Sequence, residues 1–272
     1  MAPSRILYAA QSLVIDAFNA LGVQSASCET TIPIEDISVL SKLGSAGRFQ
    51  KEVATCKSEI KIYATAGLGD IISGLMVNAD AGAISTIEVS PNGFSMSGIL
   101  SSFSLDASKG DFVTASLSFE GVGEARHLTG LDTSLSSEAN AGLAITPMTS
   151  TEVKVAGSCP SSLKYSLDIP NETVTCLGSV ITGSQSVVAA GNQMFSKPPF
   201  KSSLNLEGLN VDLNTAVITF TVGPSATPSS CIEVVIADGS IASKSFNQSA
   251  GDVGATYSNV VEGTDARINS AP

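Results

Sequence analysis

The sequence predicts an all-β protein with one or two short helices, because its composition and patterning favour strands over long helices. The 24 glycines and 11 prolines lie between short apolar runs. Along several of these runs apolar and polar residues alternate with a period of two, as half-buried strands do. At 272 residues the chain is long enough for one large β domain or two small ones.

The strands are expected in the order of the alternating runs. Ser12 to Phe18 is predicted as a first strand, and Cys56 to Tyr63 as a second strand after an excursion rich in glycine and serine. In the other half of the chain, Lys164 to Ile169 and Phe200 to Leu206 repeat this plan. The run from Phe112 to Phe119 alternates again and is predicted to bury one apolar face.

One helix is expected within residues 67–81. Four apolar residues there are spaced for one helical face: Ile71, Ile72, Leu75 and Met76. The corresponding part of the second half, Ala216 to Val222, is typical of a strand instead. Asn92-Gly93 and Asp238-Gly239 are predicted hairpin turns, because these residue types tolerate positive φ.

Short matches recur in the same order in both halves, which we interpret as a tandem duplication. The matches are Ile32-Pro33 with Ile169-Pro170, Lys57-Ser58 with Lys201-Ser202, Ile87-Glu88-Val89 with Ile232-Glu233-Val234, Gly110-Asp111 with Gly251-Asp252, and Glu120-Gly121 with Glu262-Gly263. They predict two tandem β-sandwich or barrel units, residues 1–140 and residues 141–272. The alternative is that all-β chains reuse the same turn residues, so that Asn-Gly and Gly-Asp recur without duplication.

The charge balance argues against a protein that binds nucleic acid tightly. The chain has 14 basic and 25 acidic residues, for a net charge of −11. Binding to a duplex requires clustered lysines and arginines that neutralise phosphates, and no such cluster occurs in the sequence. The N-terminus only faintly resembles a signal peptide, and no apolar run is long enough to span a membrane. An acidic surface that repels DNA is compatible with this composition.

The sequence gives no reason to expect an enzyme, a metal site or a cofactor. Its one histidine, His127, is expected to be an exposed loop residue rather than a catalytic proton shuttle. The adjacent carboxylates Glu35 and Asp36 would point to opposite faces of a strand and so could not share a site. The five cysteines are widely spaced and are expected to be reduced thiols that pack as small hydrophobic groups.

One segment resembles a known family. Ser104 to Gly123, with a Gly-Asp turn and an alternating strand that ends in Phe-Glu-Gly, is similar to a strand pair of the tail tube proteins of tailed bacteriophages. Ile32 to Leu43 and Tyr165 to Gly178, each followed by a Lys-Ser strand, resemble the opening of the same unit. The chain departs from most of that family because it is predicted to carry the unit twice, as two tandem tail-tube-like units.

The resemblance implies a structural protein of the virion tail that assembles in the host cytoplasm. Its rings would stack into the tube through which DNA passes without tight binding, in contact with other tail proteins. A long loop reaches the neighbouring subunit in this family, and the candidates for that contact are Arg48, Phe49, Pro198, Pro199 and Phe200.

The duplication bears on the number of chains in a ring. If each chain supplies two units, three chains make a pseudo-hexamer, with a linker near residues 131–150; six chains are the alternative. Two other functions stay open from the sequence: a tail adaptor or baseplate hub, and a non-viral β-sandwich binding module.

Overall fold

The computed structural model is built from strands and one helix. It describes residues 12–16, 18–20, 22–38, 45–50, 52–65, 67–81, 83–90, 93–128, 154–155, 160–175, 192–197, 199–209, 211, 213, 217–223, 232–251 and 254–270. The predicted linker near residues 131–150 lies outside these residues, as do Cys159, Cys176 and Cys231. The expected all-β class with a short helix is confirmed.

The elements follow one another along the chain. They are β1 (Ser12–Ile15), β2 (Phe18–Ala20), β3 (Val23–Thr31), β4 (Ile34–Ser38), β5 (Ser45–Gln50), β6 (Thr55–Tyr63), α1 (Leu68–Asp80), β7 (Ser85–Ser90), β8 (Phe94–Ser108), β9 (Thr114–Val122), β10 (Arg126–His127), β11 (Lys154–Val155), β12 (Ser162–Asp168), β13 (Asn171–Thr175), β14 (Asn192–Ser196), β15 (Lys201–Leu209), β16 (Ile218–Val222), β17 (Ile232–Ile236), β18 (Ser240–Asn247), β19 (Thr256–Gly263) and β20 (Ala266–Ser270).

Eight antiparallel strands form what we call the main sheet, in the order β3-β6-β9-β8-β12-β15-β19-β18. Strand β8 is 15 residues long and belongs to two sheet regions. Its C-terminal part pairs with β9 and β12, and its N-terminal part pairs with β7 and β10. Through β7 the sheet continues to β1 and β2.

A second layer covers one face of the main sheet and creates the core. This layer contains the sheet β11-β16-β17-β20 and helix α1, which contacts β20, β17, β8 and β14. The Tyr165 ring lies 5.5 Å from that of Phe220 on β16 and 6.2 Å from that of Phe103 on β8. A single hydrophobic cluster therefore runs through both halves of the chain.

The predicted helix is confirmed as α1. It begins after Gly67, whose φ of +83° suits glycine, and it buries Leu68, Ile72, Leu75 and Ala79 against the core. Ile71 and Met76 flank this buried stripe and are partly covered. None of the described helical residues forms a segment with the length and hydrophobicity that crossing a bilayer requires.

Most alternating runs form the expected strands. Strand β9 buries its predicted apolar face, and β6, β12, β15 and β16 correspond to the other predicted strands. The prediction of one strand from Ser12 to Phe18 is wrong. Asp16 has a φ of +53° and makes a tight turn between β1 and β2, and its carboxylate accepts a hydrogen bond of 2.7 Å from the Thr86 amide.

The connection that contains Gly93 joins the paired strands β7 and β8, as predicted, but the prediction of a hairpin turn at Asp238-Gly239 is wrong, because β17 and β18 lie in different sheets. Gly93 is not among the glycines with positive φ, but a Cβ atom there would lie 2.2 Å from the Val89 carbonyl oxygen. At the other turn the Asp238 carboxylate accepts hydrogen bonds from the amides of Thr264 (2.9 Å) and Asp265 (2.8 Å). These bonds, with one from the Thr264 hydroxyl, lower the pKa of Asp238.

Candidate functional surface

One face of the main sheet does not pack against the core, and most of its side chains are polar. We call it the open face. Hydroxyl and amide side chains occupy most of its positions, because alternate residues of each strand point away from the core. Examples are Ser104 and Ser166, which lie opposite each other, and Asn205 beside Lys164.

The charged residues of the open face are more often acidic than basic. The seven acidic residues are Glu29, Glu59, Asp106, Glu120, Asp168, Glu207 and Glu262, and the four basic ones are Lys57, Lys61, Lys164 and Lys201. The net charge of the open face is therefore −3 over the described residues. No arginine lies on it, so it lacks the guanidinium groups that bind phosphate in bidentate fashion.

Two of the four lysines are neutralised by acidic neighbours across the strands. Lys57 Nζ lies 2.6 Å from Glu120 Oε1, and Lys164 Nζ lies 3.6 Å from Asp106 Oδ2. The hydrogen bond to Glu120, with the charge of that carboxylate, raises the pKa of Lys57. These pairs are exposed and add little stability. Their main effect is to reduce the positive charge available to an approaching phosphate.

The main sheet ends in two strands that each pair on one side only among the described residues. Strand β3 pairs with β6, and β18 pairs with β19. The core side of β3 carries Ala26 and Cys28, which are only half-buried. On β18, Phe246 points to the core side beside Tyr257 and is nevertheless 76% exposed. Unpaired sheet edges of this kind favour the addition of another strand.

The two halves of the chain meet in the middle of the main sheet, where β8 pairs with β12. Tyr165 lies opposite Leu105, and Leu167 lies opposite Phe103; all four side chains are buried. At one end of this junction the amide of Ile169 donates a hydrogen bond of 2.8 Å to the Ser101 carbonyl. Ser101 is the extra residue of a β-bulge between Leu100 and Ser102.

The ladders on the two sides of this junction have the same pattern. The order β3-β6-β9-β8 has the same pairings as β12-β15-β19-β18. Strand β18 carries a bulge at Ala242, at the same distance from the Glu-Gly sequence of its partner strand as the bulge at Ser101. Gly110 and Gly251 of the Gly-Asp matches have φ of +91° and +99°.

Not every sequence match fits this common register. Lys57 lies opposite Glu120, but Ser203 rather than Lys201 lies opposite Glu262. The Lys-Ser match is therefore displaced by two residues from the register that the Ile-Pro and Glu-Gly matches share. Ser12 to Phe18, which the sequence paired with Lys164 to Ile169, is likewise displaced, because β3 occupies the ladder position that corresponds to β12.

A hairpin follows β3 and another follows β12, the first strands of the two ladders, and the two hairpins differ in their surroundings. Strand β14 of the second hairpin, β13–β14, contacts β8, β9 and α1 and buries Met194. In the first hairpin, β4–β5, the side chains of Ile34 and Ile37 are 61% and 44% exposed. The first hairpin thus exposes apolar side chains to solvent, whereas the second hairpin packs against the rest of the chain.

Four of the five candidates for the contact between subunits are among the described residues, and they lie on these hairpins or next to them. Arg48 and Phe49 are on β5, where Arg48 Nε donates to Asp36 Oδ1 at 2.8 Å. Pro199 and Phe200 lie between β14 and β15, and Phe200 is partly buried against the core. Pro198 is outside the described residues. The structure therefore places Arg48 and Phe49 on the first hairpin, and Pro199 and Phe200 after the second hairpin.

The described residues contain no group of side chains arranged for metal binding. His127 is exposed at the end of the short strand β10, and Asp36 is paired with Arg48. Cys28 and Cys56 are free thiols; burial raises the pKa of Cys56 to about 11 and also raises that of Cys28. A cleft of about 380 Å³ beside the junction is lined by Lys57, Ser58, Asp168 and Asn171 among others. It opens to solvent.

Comparison with models of known protein families gives no match, and comparison with curated proteins gives none either. The proposal on function is therefore based on the open face, the two unpaired edges of the main sheet and the junction. Strand β3 was not predicted from the sequence. Apart from Val23, its core side holds the small residues Ala26, Cys28 and Thr30, so its alternation of hydrophobicity is weak.

Proposed function

We propose that this protein is a structural component of a virion tail whose rings stack into a tube for DNA ejection. The observation that carries the proposal is an eight-stranded sheet with one polar, net acidic face and two unpaired edges. In the proposed ring the open face lines the channel and the second layer, with α1, faces outward. The role is structural rather than enzymatic, and it belongs to virion tails assembled in the host cytoplasm.

The chemistry of the open face supports a surface along which DNA moves without being held. A wall with a net charge of −3 per chain gains nothing from counterion release, and it repels phosphates at short range. Its serine, threonine and asparagine side chains remain hydrated. The apolar side chains of the main sheet point mainly into the core, so the bases have few hydrophobic partners there.

The two unpaired edges support ring formation. An edge at each end of the same sheet gives a heterologous contact, in which a different surface of each copy is used, and such contacts close into rings when the rotation permits. The repeated ladders, with their bulges at Ser101 and Ala242, support the proposed tandem duplication. Each chain would then supply two similar units to the ring.

The width of the channel favours three chains over six. Three chains supply 24 strands from their main sheets, and strands about 4.8 Å apart and tilted by about 40° close at a backbone diameter of roughly 48 Å. After side chains are allowed for, this channel still passes a DNA duplex. Six chains would give roughly 96 Å by the same geometry, far wider than a duplex needs. We therefore propose a trimeric ring with pseudo-sixfold symmetry, with a hexamer as the alternative.

Electron microscopy of the purified protein at high concentration tests the proposal, and native mass spectrometry of single rings counts the chains. Stacked rings with an open channel and three chains per ring are expected. A single ring that does not stack would favour the adaptor or hub instead. A protein that stays monomeric at high concentration would contradict ring formation and leave the non-viral binding module.

A charge reversal tests which surface lines the channel. Changing Glu59, Asp168 and Glu207 to lysine converts the net charge of the open face from −3 to +3, and the resulting rings should retain DNA at low salt. The matched control changes Asp70 and Glu233 in the second layer and Glu88 on β7, which lies outside the eight strands of the main sheet, to lysine. Equal DNA retention by both variants would contradict the proposed orientation of the sheet.

A further inference from the structure

We infer that β18 of one copy pairs with β3 of a second copy of this chain, in the antiparallel register that β8 and β12 have within one chain. The inference rests on the proposed ring and specifies its contact. Strand β18 has the ladder position of β8, and β3 has that of β12. The junction between copies would therefore reproduce the junction between the two halves.

The internal register transfers residue by residue. Within the chain, Tyr165 lies opposite Leu105 and Lys164 lies opposite Asp106. Cys28 lies opposite Ser58 on the neighbouring strand, as Tyr165 lies opposite Leu204. Phe246 lies five residues after Ile241, the residue before the bulge at Ala242. In the same way, Leu105 lies five residues after Leu100, the residue before the bulge at Ser101. The corresponding pairs between copies are Cys28 with Phe246 and Ser27 with Asn247.

Phe246 and Cys28 are complementary in size at the centre of this contact. Phe246 is 76% exposed on the core side of β18, where its counterpart Leu105 is 1% exposed. The half-buried Cys28 and Ala26 leave room beside β3 where the larger Tyr165 and Leu163 fill the internal junction. Pairing would bury the phenylalanine ring, and burial of one such side chain is among the larger contributions that a single residue makes to an interface.

Ile32 supplies a second anchor. Its counterpart Ile169 is fully buried, and the amide of Ile169 donates to the carbonyl of the bulge residue Ser101. Ile32 is 41% exposed within one chain. In the proposed contact its amide would donate to the carbonyl of the bulge residue Ala242 of the other copy, and its side chain would be covered as that of Ile169 is.

The first hairpin extends the same contact. The second hairpin packs across β8 and β9, next to the junction that precedes it. By the same relation, β4–β5 would pack across β18 and β19 of the other copy. This would cover Ile34 and Ile37, whose side chains are exposed within one chain.

Paired cysteines measure the register directly. In the double variant Ser27→Cys/Asn247→Cys the two thiols would face each other across the contact, with Cβ atoms about 4.5–5.5 Å apart. Mild oxidation should convert the monomer band on a denaturing, non-reducing gel into covalent multimers. In the control Ser27→Cys/Ser243→Cys the second thiol lies four residues away, about 13 Å along the strand, and the monomer band should remain. The single variants provide the background from native cysteines.

Assembly itself is tested with exposed side chains whose loss does not disturb the core. Phe246→Ser should lose ring formation while its circular dichroism remains that of the wild type. The matched control is Val77→Ser, because Val77 is 65% exposed but belongs to α1 in the second layer rather than to an edge strand. This control should assemble normally.

The outcomes separate the contact from the proposed function. Rings without Ser27–Asn247 cross-links would overturn the register and leave the ring standing. Cross-links in open chains that never close would support the register and contradict the ring. Cross-linking by Asn247→Cys alone, beyond the background of the wild type, would show that β18 pairs with itself and would overturn the inference.

Discussion

Replacing Tyr165 by phenylalanine is expected to stabilise the protein. Tyr165 lies at the centre of the internal junction, is 1% exposed, and its hydroxyl has no hydrogen-bond partner among the described residues. An unsatisfied buried polar group costs about 1–3 kcal/mol. The substitution removes that cost and keeps the ring contacts with Phe103 and Phe220. We expect a gain of about 1–2 kcal/mol in the free energy of unfolding, or roughly 2–8 °C in Tm.

Urea denaturation of the dilute, unassembled protein measures this gain. Tyr257→Phe is the control, because Tyr257 is half-exposed, and it should change the free energy by less than about 0.5 kcal/mol. Burial raises the pKa of Tyr165 above the ordinary 10.0. The stability of the wild type should therefore fall as pH rises beyond that value, because only the unfolded state ionises there, and Tyr165→Phe should lose less. A loss of stability at neutral pH would refute the reasoning by revealing a partner for the hydroxyl.

Three further predictions concern two glycines and the carboxylate that holds one turn. Gly121→Ala should destabilise the fold by about 1–3 kcal/mol in urea denaturation, because the new Cβ would lie 2.0 Å from the Ser97 carbonyl oxygen; an unchanged midpoint would contradict this. Gly74→Ala should raise stability by up to about 1 kcal/mol, since its Cβ would meet open space within α1, and a lower Tm would count against it. Asp238→Asn should weaken the turn before β20. The wild type should lose stability as pH falls through the lowered pKa of Asp238, and the variant should not show this loss. Parallel acid-unfolding curves of the two proteins would argue against that role.

The sequence predicted those elements whose two faces differ strongly. Strand β6 alternates charged residues with isoleucines, and α1 has apolar residues at helical spacing, so both were identified with nearly correct bounds. Strand β9 was identified for the same reason. Each of these elements has one face in the core, and the pattern of burial is already present in the order of residue types.

The register and the edges could not be predicted in the same way. A shift of two residues leaves the alternation of a strand unchanged, so the Lys-Ser match suggested Lys201 as the counterpart of Lys57 where the ladders place Ser203. The small side chains of β3 give little contrast between its two faces. The turn at Asp16 separates β1 from β2 within a run that is continuous by hydrophobicity. In each case the register or the end of a strand depends on its pairing with strands that are distant in sequence. The local sequence does not encode that pairing.

The pairing of β8 with β12 inside one chain has a consequence for how an assembly forms and comes apart. Two segments of one polypeptide meet at an effective concentration that dilution does not change, whereas an edge shared by separate molecules depends on how many molecules are present. Every second seam in the proposed ring would thus be present before any encounter. Dilution would open only the seams between chains, and it would release blocks of eight strands that are already in register.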